Sequence, residues 1–384
     1  MGKFRVLFIG DLMCQQNQIA AYKNDFSDVF AGVKEEFAQW DAVVANLETP
    51  VAPSMKVCHE PYSFNAPRAF LQAARNAGVS VFLTANNHCL DRGTAGLLET
   101  MKEIEAAGGV YVGTRHANGA PYHVLTCGGV RIGLVAFTYG TNAFLNGVYL
   151  KKSEKFYVDM LQGQELKNRW GRWLFTSSAF VARAARFALK KAKVVRSDRP
   201  MYEWENRDKN CTERFKAAIH ECKKQVDYVI ALPHVGGQYN KQPTEFTKQV
   251  CQMAVDAGAD FVLANHEHVV HPIEIKETGT VVAYSLGNFV SENGVLQPPF
   301  EEDSEVSLGI GLEFDTGAQT VQCSGQLFCS KAESGRIKAY PMSKIIEEST
   351  GQYPDPFLQY ERVMNRIFNT RQQQYELTKC FVVR

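Results

Sequence analysis

Five short apolar segments, each typical of a buried β-strand, are followed at once by residues that can bind metal ions or act as acids and bases. They are VLFIG before Asp11, AVVANL before Glu48, VFLTAN before Asn87 and His88, YVIALP before His234, and FVLAN before His266 and His268. Segments with helical periodicity separate them, at residues 19–40, 69–77, 94–107, 211–225 and 245–257. Because ligands bind at the carboxyl ends of strands in open α/β sheets, this alternation predicts an α/β layered domain with partly parallel strands and a polar site at that edge.

The residue types at these strand ends suit one kind of chemistry. Carboxylates, an amide oxygen and imidazoles together favour divalent cations such as Mn, Fe or Zn. Some of these residues also have local explanations, because Asp11 could cap a helix and His234 could be a hydrogen-bonded histidine at the sheet edge. His266 and His268 are harder to explain locally, since alternation along an extended chain would point both imidazoles the same way. We therefore predict one shared polar site and, as a hypothesis, a bound metal ion.

The composition bounds the class of protein. Of 384 residues, 45% are hydrophobic and 22% are charged, so the chain can bury a sizeable core. The formal net charge of +1 indicates neither a nucleic-acid nor a membrane partner, and no apolar stretch reaches the roughly 18 residues of a membrane span. The ten cysteines lack CxxC spacing, and the apolar run before Asp11 is too short for a secretory signal. We expect a cytoplasmic protein with reduced thiols.

A basic segment interrupts the alternation of strands and helices. Residues 151–200 contain thirteen Lys and Arg residues against four Asp and Glu residues, whereas the rest of the chain is net acidic. Residues 173–193 have the periodicity of an amphipathic helix with Arg183, Arg186 and Lys190 on one face. This face could be solvated, or it could dock an anionic substrate. The predicted organisation is one domain at 1–345, a basic helical insertion within it at 148–210, and a C-terminal helical extension at 346–384.

Eight short motifs follow one another along the chain, and as an ordered set they are far more specific than any one of them. They are GDLM (10–13), NLETP (46–50), PYSFNAP (61–67), TANNHCLDRG (84–93), FTYGTN (137–142), HVGGQY (234–239), NHEHVVHPIE (265–274) and SLGNF (285–289). On these motifs the chain resembles the CapA-type poly-γ-glutamate synthesis family, a branch of the calcineurin-like metallophosphoesterase superfamily. The resemblance implies a four-layer αββα sandwich, in which two mixed β-sheets pack face to face with helices outside, and descent from a metal-dependent hydrolase.

The resemblance also implies a role for each residue that matches these motifs. One or two divalent ions would bind, with Asp11 and His268 on one ion, Asn87, His234 and His266 on the other, and Glu48 bridging both. The candidate catalytic residues are His88 as general acid, Asp91 as the group that orients it, and Asp11. The candidate substrate contacts are Tyr139, Tyr239, Asn288, Arg183 and Arg186.

The chain departs from the family pattern at several motifs. Gln15 stands where members close to this pattern often carry a histidine, so a single-ion site is also open. Glu267 replaces the usual proline between the last two histidines, and we expect it to point away from the ions. The sequence begins without the membrane anchor typical of capsule-assembly members, so we expect no direct role in assembling an extracellular polymer.

Three functions follow as hypotheses. The first is a metal-dependent hydrolase of a phosphoester, or of an amide in a glutamyl-type polymer or modified peptide, in which His88 protonates the leaving group. The second is a metal-independent acid/base enzyme, such as an amino-acid or peptide epimerase, that uses the same pocket. The third is a non-catalytic partner in capsule biosynthesis. The expected ligand is an anionic small molecule, peptide or polymer, and metal content distinguishes the first two hypotheses.

Overall fold

The computed structural model describes residues 3–55, 63–164, 209–297, 299, 301–318, 320–349, 355–371, 373–376, 378 and 380–383. The predicted basic helix at residues 173–193, with Arg183 and Arg186, lies outside these ranges. The strands are β1 (Lys3–Leu12), β2 (Ala42–Leu47), β3 (Val79–Leu83), β4 (Val110–Val112), β5 (His123–Cys127), β6 (Val130–Thr138), β7 (Tyr228–His234), β8 (Phe261–Leu263), β9 (Ile273–Ile275), β10 (Val281–Ala283), β11 (Asn288–Val290), β12 (Val306–Asp315), β13 (Thr320–Glu333), β14 (Arg336–Pro341) and β15 (Phe381–Val382).

These strands form two mixed sheets. In the first sheet the order is β14-β13-β12-β1-β2-β3-β4, with β11 beside β1 and β15 beside β13. Its strands β1 to β4 are parallel, whereas β12, β13 and β14 run antiparallel to their neighbours. In the second sheet the order is β5-β6-β7-β8-β10-β9, with a parallel centre and antiparallel β5 and β9 at the edges. The parallel strands of each sheet therefore end at a common edge.

The described helices lie around the two sheets. They are α1 (Gln16–Tyr22), α2 (Lys34–Phe37), α3 (Arg68–Ala77), α4 (Gly93–Ala106), α5 (Ala143–Asn146), α6 (Lys209–Lys223), α7 (Glu245–Asp256), α8 (Met342–Glu348) and α9 (Pro356–Ile367). Side chains alternate along β1, so Leu7 belongs to the outer buried cluster that includes Phe70 of α3, whereas Phe8 belongs to the cluster between the sheets that includes Ile230. On the other side, α6 and α7 pack on β6, β7 and β8. The structure thus confirms the four-layer sandwich of two mixed sheets.

One predicted helix is wrong. The periodicity of residues 19–40 predicts a single long helix, but the chain forms α1, a 3₁₀ helix at Ser27–Val33 and the short α2. Lys23 and Asn24 have φ angles of 47° and 71°, which end α1. The carboxylate of Asp25 then accepts hydrogen bonds from the backbone N–H (3.1 Å) and the hydroxyl (2.6 Å) of Ser27, so a new element begins there.

Residues at the start of the predicted insertion (148–210) contact strands of both sheets. The backbone N–H of Asp159 donates to the carbonyl of Gly113 next to β4 (2.9 Å), and its carbonyl accepts from Thr138 at the end of β6 (2.9 Å). The buried Asp159 carboxylate also pairs with Arg115 (3.0 Å) and with Arg214 of α6 (3.6 Å). The segments that enter and leave the insertion are therefore held at one point.

The C-terminal region packs into the core between the sheets. Tyr360, Val363 and Ile367 of α9 belong to the same buried cluster as Leu327 of β13 and Phe8 of β1. The strand β15 pairs with β13. This region therefore packs on the inner face of the first sheet. The predicted boundary between the domain and a C-terminal extension, at residues 345 and 346, stays a prediction.

Candidate metal centre

The carboxyl ends of strands from both sheets deliver the predicted ligands to one place. Asp11 lies near the end of β1, Glu48 follows β2, and His234 ends β7. The loops after β3 and β8 supply the remaining residues. Each of the six predicted ligands is at most 2% exposed: Asp11, Glu48, Asn87, His234, His266 and His268.

Two groups of possible ligands overlap at Glu48. In each group the ligand atoms lie within 4.8 Å of one another; the groups are Glu48 with His234 and His266, and Asp11 with Glu48 and His268. The Oε1 atom of Glu48 is 3.6 Å from Nε2 of His234 and 3.8 Å from Nε2 of His268. Asn87 joins the first group, because its Oδ1 atom is 2.8 Å from Nε2 of His234. The grouping matches the division between two ions that the resemblance implies.

The hydrogen bonding of these groups fits a cation. Within the described residues, both carboxylate oxygens of Glu48 and both ring nitrogens of His266 are buried without a hydrogen-bond partner. Leaving such groups unsatisfied costs free energy, so native proteins normally pair them. Carboxylate oxygens and imidazole nitrogens are the ligands that Mn, Fe and Zn prefer. The donor set therefore fits one or two divalent ions, whose identity stays open.

The electrostatics of the two groups differ. Burial, and then repulsion from Glu48, raise the pKa of Asp11. Burial alone would lower the pKa of His268, but the charges of Glu48 and Asp11, together with Tyr239, raise it well above 6.5. Burial, reinforced by His234, lowers the pKa of His266 well below 6.5. Nδ1 of His268 lies 3.2 Å from Oδ2 of Asp11, so the charged imidazolium is favoured here, whereas the neutral imidazole is favoured at His266.

The loop that carries His266 and His268 is not extended, contrary to the prediction. Their φ angles are 108° and 61°, in the region that residues other than glycine rarely adopt. The two rings still converge, with centroids 5.8 Å apart. Glu267 accepts hydrogen bonds from the backbone N–H of Gly237 (2.9 Å) and the side chain of Asn240 (3.2 Å), so it fastens the loop after β7. Burial raises the pKa of Glu267 to about 7.

The predicted general acid lies beside these groups. The Nδ1 atom of His88 is 2.7 Å from Oδ2 of Asp91, which also accepts from the backbone N–H of Phe64 (2.7 Å). The Phe64 ring stacks on the imidazole with centroids 4.2 Å apart. Asp91 is therefore placed to orient His88, as the resemblance implies.

The predicted substrate contacts differ in their positions. Tyr139 is buried, with its ring centroid 4.6 Å from that of His266, and the partly exposed Tyr239 is 5.0 Å from His268. Asn288 is buried and its Oδ1 atom is 2.9 Å from Nδ1 of His268, which favours a supporting role over a substrate contact. Arg183 and Arg186 lie outside the described residues.

Gln15 takes no part in either ligand group. Its side-chain oxygen accepts hydrogen bonds from the backbone N–H of Glu292 (2.7 Å) and from the hydroxyl of Ser291 (3.3 Å). Its backbone N–H donates to the side chain of Gln18 (2.8 Å). Gln15 thus connects the start of α1 to the loop after β11.

Two asparagines that support the site were missed from the sequence. The Nδ2 atom of Asn46 donates to Oδ1 of Asp11 (2.7 Å) and lies 3.2 Å from Nδ1 of His234. Asn86 donates to Oδ1 of Asn46 (3.2 Å) and accepts from the backbone N–H of His88 (3.2 Å). The signal was present, because both residues belong to the motifs NLETP and TANNHCLDRG that carry the ligands.

A four-layer sandwich with this cluster at the strand ends is the arrangement expected of a metallophosphoesterase-like protein. The model of the family described as "Bacterial capsule synthesis protein PGA_cap" matches residues 5–293. The chain therefore belongs to this family of bacterial capsule synthesis proteins.

Individual relatives agree with this assignment. The chain is 25% identical over 292 residues to the "PGA biosynthesis protein CapA" of Bacillus subtilis, which covers 75% of the chain and 63% of that protein. It is 25% identical over 303 residues to the "Capsule biosynthesis protein CapA" of Bacillus anthracis, covering 76% and 61%. The chain thus spans little more than three fifths of the length of these relatives.

The crystal structure of TT1561 of Thermus thermophilus matches with a TM-score of 0.32 and 12% identity, covering 84% of this chain and 98% of that one. Among the described residues, no helix combines the length and the apolar character needed to cross a membrane. The cytoplasmic location stays a prediction.

Proposed function

We propose that this chain is a metal-dependent hydrolase of bacterial capsule biosynthesis. Its substrate class is a phosphoester, or an amide of a glutamyl-type polymer or modified peptide. The observation that carries the proposal is the position of Glu48, whose carboxylate is shared by two groups of possible ligands. The substrate class is supported by the names of the relatives, which refer to the biosynthesis of PGA and of capsule.

The candidate ligands would bind two ions in two overlapping sets. When bound, divalent ions supply Lewis-acid polarisation and lower the pKa of water. Asp11, Glu48 and His268 would hold one ion, and Glu48, Asn87, His234 and His266 the other. Because all of these residues are buried, their charges act in a medium of low dielectric, where electrostatic stabilisation is strong.

His88 would complete the reaction as the general acid. The contact from Asp91 to Nδ1 (2.7 Å) fixes the ring, so that Nε2 is the nitrogen left to protonate a departing oxygen or nitrogen. Phe64 stacks on one face of the ring and restricts its rotation. Tyr239, partly exposed beside His268, is the candidate contact for the incoming substrate.

One observation favours the metal-independent alternative. Asp11 and His268 already form an ion pair at 3.2 Å, and such a pair can exchange protons with a substrate without a metal. This alternative gives no role to the unpartnered atoms of Glu48 and His266. We therefore prefer the hydrolase.

Metal content and activity, measured on the same preparations, test the proposal. The protein is purified without chelator, its metals are counted by mass spectrometry, and hydrolysis of bis(4-nitrophenyl) phosphate and of a γ-glutamyl oligopeptide is assayed. We expect His234→Ala and His266→Ala to lose metal and activity together, and the exposed His116→Ala to keep both. Proton exchange at the α-carbon of that peptide without metal would support the epimerase. A metal-free protein unaffected by His88→Ala would support the non-catalytic partner.

A further inference from the structure

The C-terminal helix α9 holds a buried aspartate next to the candidate site. Nη2 of Arg362 donates to Oδ1 of Asp303 (2.7 Å), and Nη2 of Arg366 donates to Oδ2 (3.2 Å). The Asp303 side chain has no exposed surface. A buried carboxylate needs counter-charges, and here both come from α9.

This pairing fixes an unusual backbone conformation. Asp303 has a φ of 64°, which costs free energy for a residue other than glycine and persists only where the surroundings impose it. Two sets of contacts hold Asp303 here: the arginines on its side chain, and a turn in which its carbonyl accepts from the backbone N–H of Val306 (3.1 Å). Ser304 lies inside this turn, so the position of its carbonyl follows from how the turn is held.

The Ser304 carbonyl leads directly to a candidate ligand. It accepts a hydrogen bond from Nδ2 of Asn288 (3.3 Å), so the amide oxygen of Asn288 must face the other way. That oxygen lies 2.9 Å from Nδ1 of His268 and can only accept, so Nδ1 carries a proton. Nε2 of His268, which faces Glu48 at 3.8 Å, is then the nitrogen that can bind a cation.

We propose that Asp303 is a positioning residue for His268, acting through Ser304 and Asn288, and that α9 contributes to the site by holding Asp303. Asp303, Arg362 and Arg366 all lie beyond residue 293, where the family match ends. The effect on ion binding rests on the proposed function, whereas the effect on the Nδ1 proton of His268 does not.

The first experiment uses metal-free protein labelled with ¹⁵N in its histidines. We expect the Nδ1 proton of His268 to be protected from exchange with solvent, and Asp303→Asn to speed its exchange at least about tenfold. Asn288→Ala removes the nearer of the two acceptors that face Nδ1, at 2.9 Å against 3.2 Å for Oδ2 of Asp11, and should have the same effect. The matched control is Asp159→Asn, because Asp159 is also a buried aspartate held by two arginines but does not contact Asn288 or His268.

The second experiment measures Zn²⁺ affinity by competition with a chelator. It uses variants that lack a histidine from one of the two ligand groups, so that each group is tested separately. In a His266→Leu background, Asp303→Asn should weaken Zn²⁺ binding about 10- to 100-fold. In a His268→Leu background it should have no effect. Arg366→Lys keeps the charge but loses the planar donor, so it should give an intermediate loss.

The outcomes separate this inference from the proposed function. Equal effects of Asp303→Asn and Asp159→Asn on the Nδ1 proton, or equal losses of Zn²⁺ affinity in the two backgrounds, would overturn the positioning role. The unsubstituted protein could instead protect the Nδ1 proton, lose that protection in Asp303→Asn, and yet bind no Zn²⁺. That result would support the positioning role and refute the metal-dependent hydrolase.

Discussion

The two halves of the candidate metal centre share Glu48 but are built in different ways. In the half with His268, polar partners surround the imidazole, since Asp11 lies 3.2 Å and Asn288 2.9 Å from its Nδ1 atom. In the half with His266, both nitrogens of the ring are buried without a hydrogen bond from any described residue. The His268 imidazole is thus oriented by hydrogen bonding before a ligand arrives, whereas the His266 imidazole is buried without it.

This difference indicates what each half needs. A satisfied polar network stabilises the folded chain and orients its members, whereas an unsatisfied buried group costs about 1–3 kcal/mol. The His268 imidazole is therefore held in place without an ion. The His266 imidazole carries the free-energy cost of an unsatisfied buried group, which a bound ion would remove.

The largest expected effect comes from the residue common to both halves. Glu48→Gln should empty both halves and lower hydrolysis about a thousandfold, because a neutral amide cannot balance two cations. Metal analysis and the two hydrolysis assays check this. The control is Glu103→Gln, which removes a buried carboxylate paired with Arg68 (2.5 Å) and should leave the metal content unchanged. If Glu48→Gln still bound two equivalents of metal, Glu48 would not be a ligand shared by the two ions.

The two histidines should differ in metal-free protein. His268→Leu leaves Asp11 buried without its partner, so we expect the free energy of unfolding to fall by about 3 kcal/mol. His266→Leu removes a ring without hydrogen bonds, so we expect no loss or a gain of up to about 1 kcal/mol. Both positions have positive φ, so the backbone cost of leucine is similar in the two variants. Urea unfolding in the presence of chelator measures both free energies. Equal losses in the two variants would show that the two imidazoles do not differ in their contribution to stability.

A third prediction concerns the residue that orients His88 and lies outside both halves. Asp91→Asn keeps the shape of the side chain but weakens its hold on Nδ1 of His88, so kcat should fall about 10- to 100-fold. The metal content should not change. A loss of metal in this variant would mean that the loop after β3 supports the ligands as well as the acid.

The pH dependence of metal-free stability should separate the two histidines again. The pKa of His268 is raised in the folded chain, so its contribution is complete below about pH 6.5 and is lost as pH rises through the folded-state value. The pKa of His266 is lowered, so unfolding takes up a proton below about pH 6.5 and stability falls as pH falls.

Each substitution should therefore flatten a different side of the profile. His266→Leu should reduce the acid-side slope and His268→Leu the alkaline-side slope, each by at most about 1.4 kcal/mol per pH unit. Thermal unfolding between about pH 5 and 9 measures this. Identical profiles for both variants would show that other groups dominate the pH dependence.

The sequence predicted the site better where the backbone is regular. Asp11, Glu48 and His234 follow directly from strands, and parallel strands must end at a common edge, so their convergence could be predicted. The loop of His266 and His268 could not, because its positive φ angles depend on packing that no local pattern encodes. The same holds for Asp303, whose partners lie about sixty residues away on α9.

The smallest expected effect tests whether a family ligand can be restored at position 15. Gln15 is held by the loop at Ser291 and Glu292, far along the chain, and its backbone donates to Gln18. We expect Gln15→His to lose the two side-chain contacts to Ser291 and Glu292 at a cost of about 1 kcal/mol, and to leave the metal content unchanged. Gln16→His, at an exposed neighbouring position, is the control and should cost less. If Gln15→His instead tightens binding in the half with Asp11 and His268, that half lacks a ligand that its neighbouring loop can still provide.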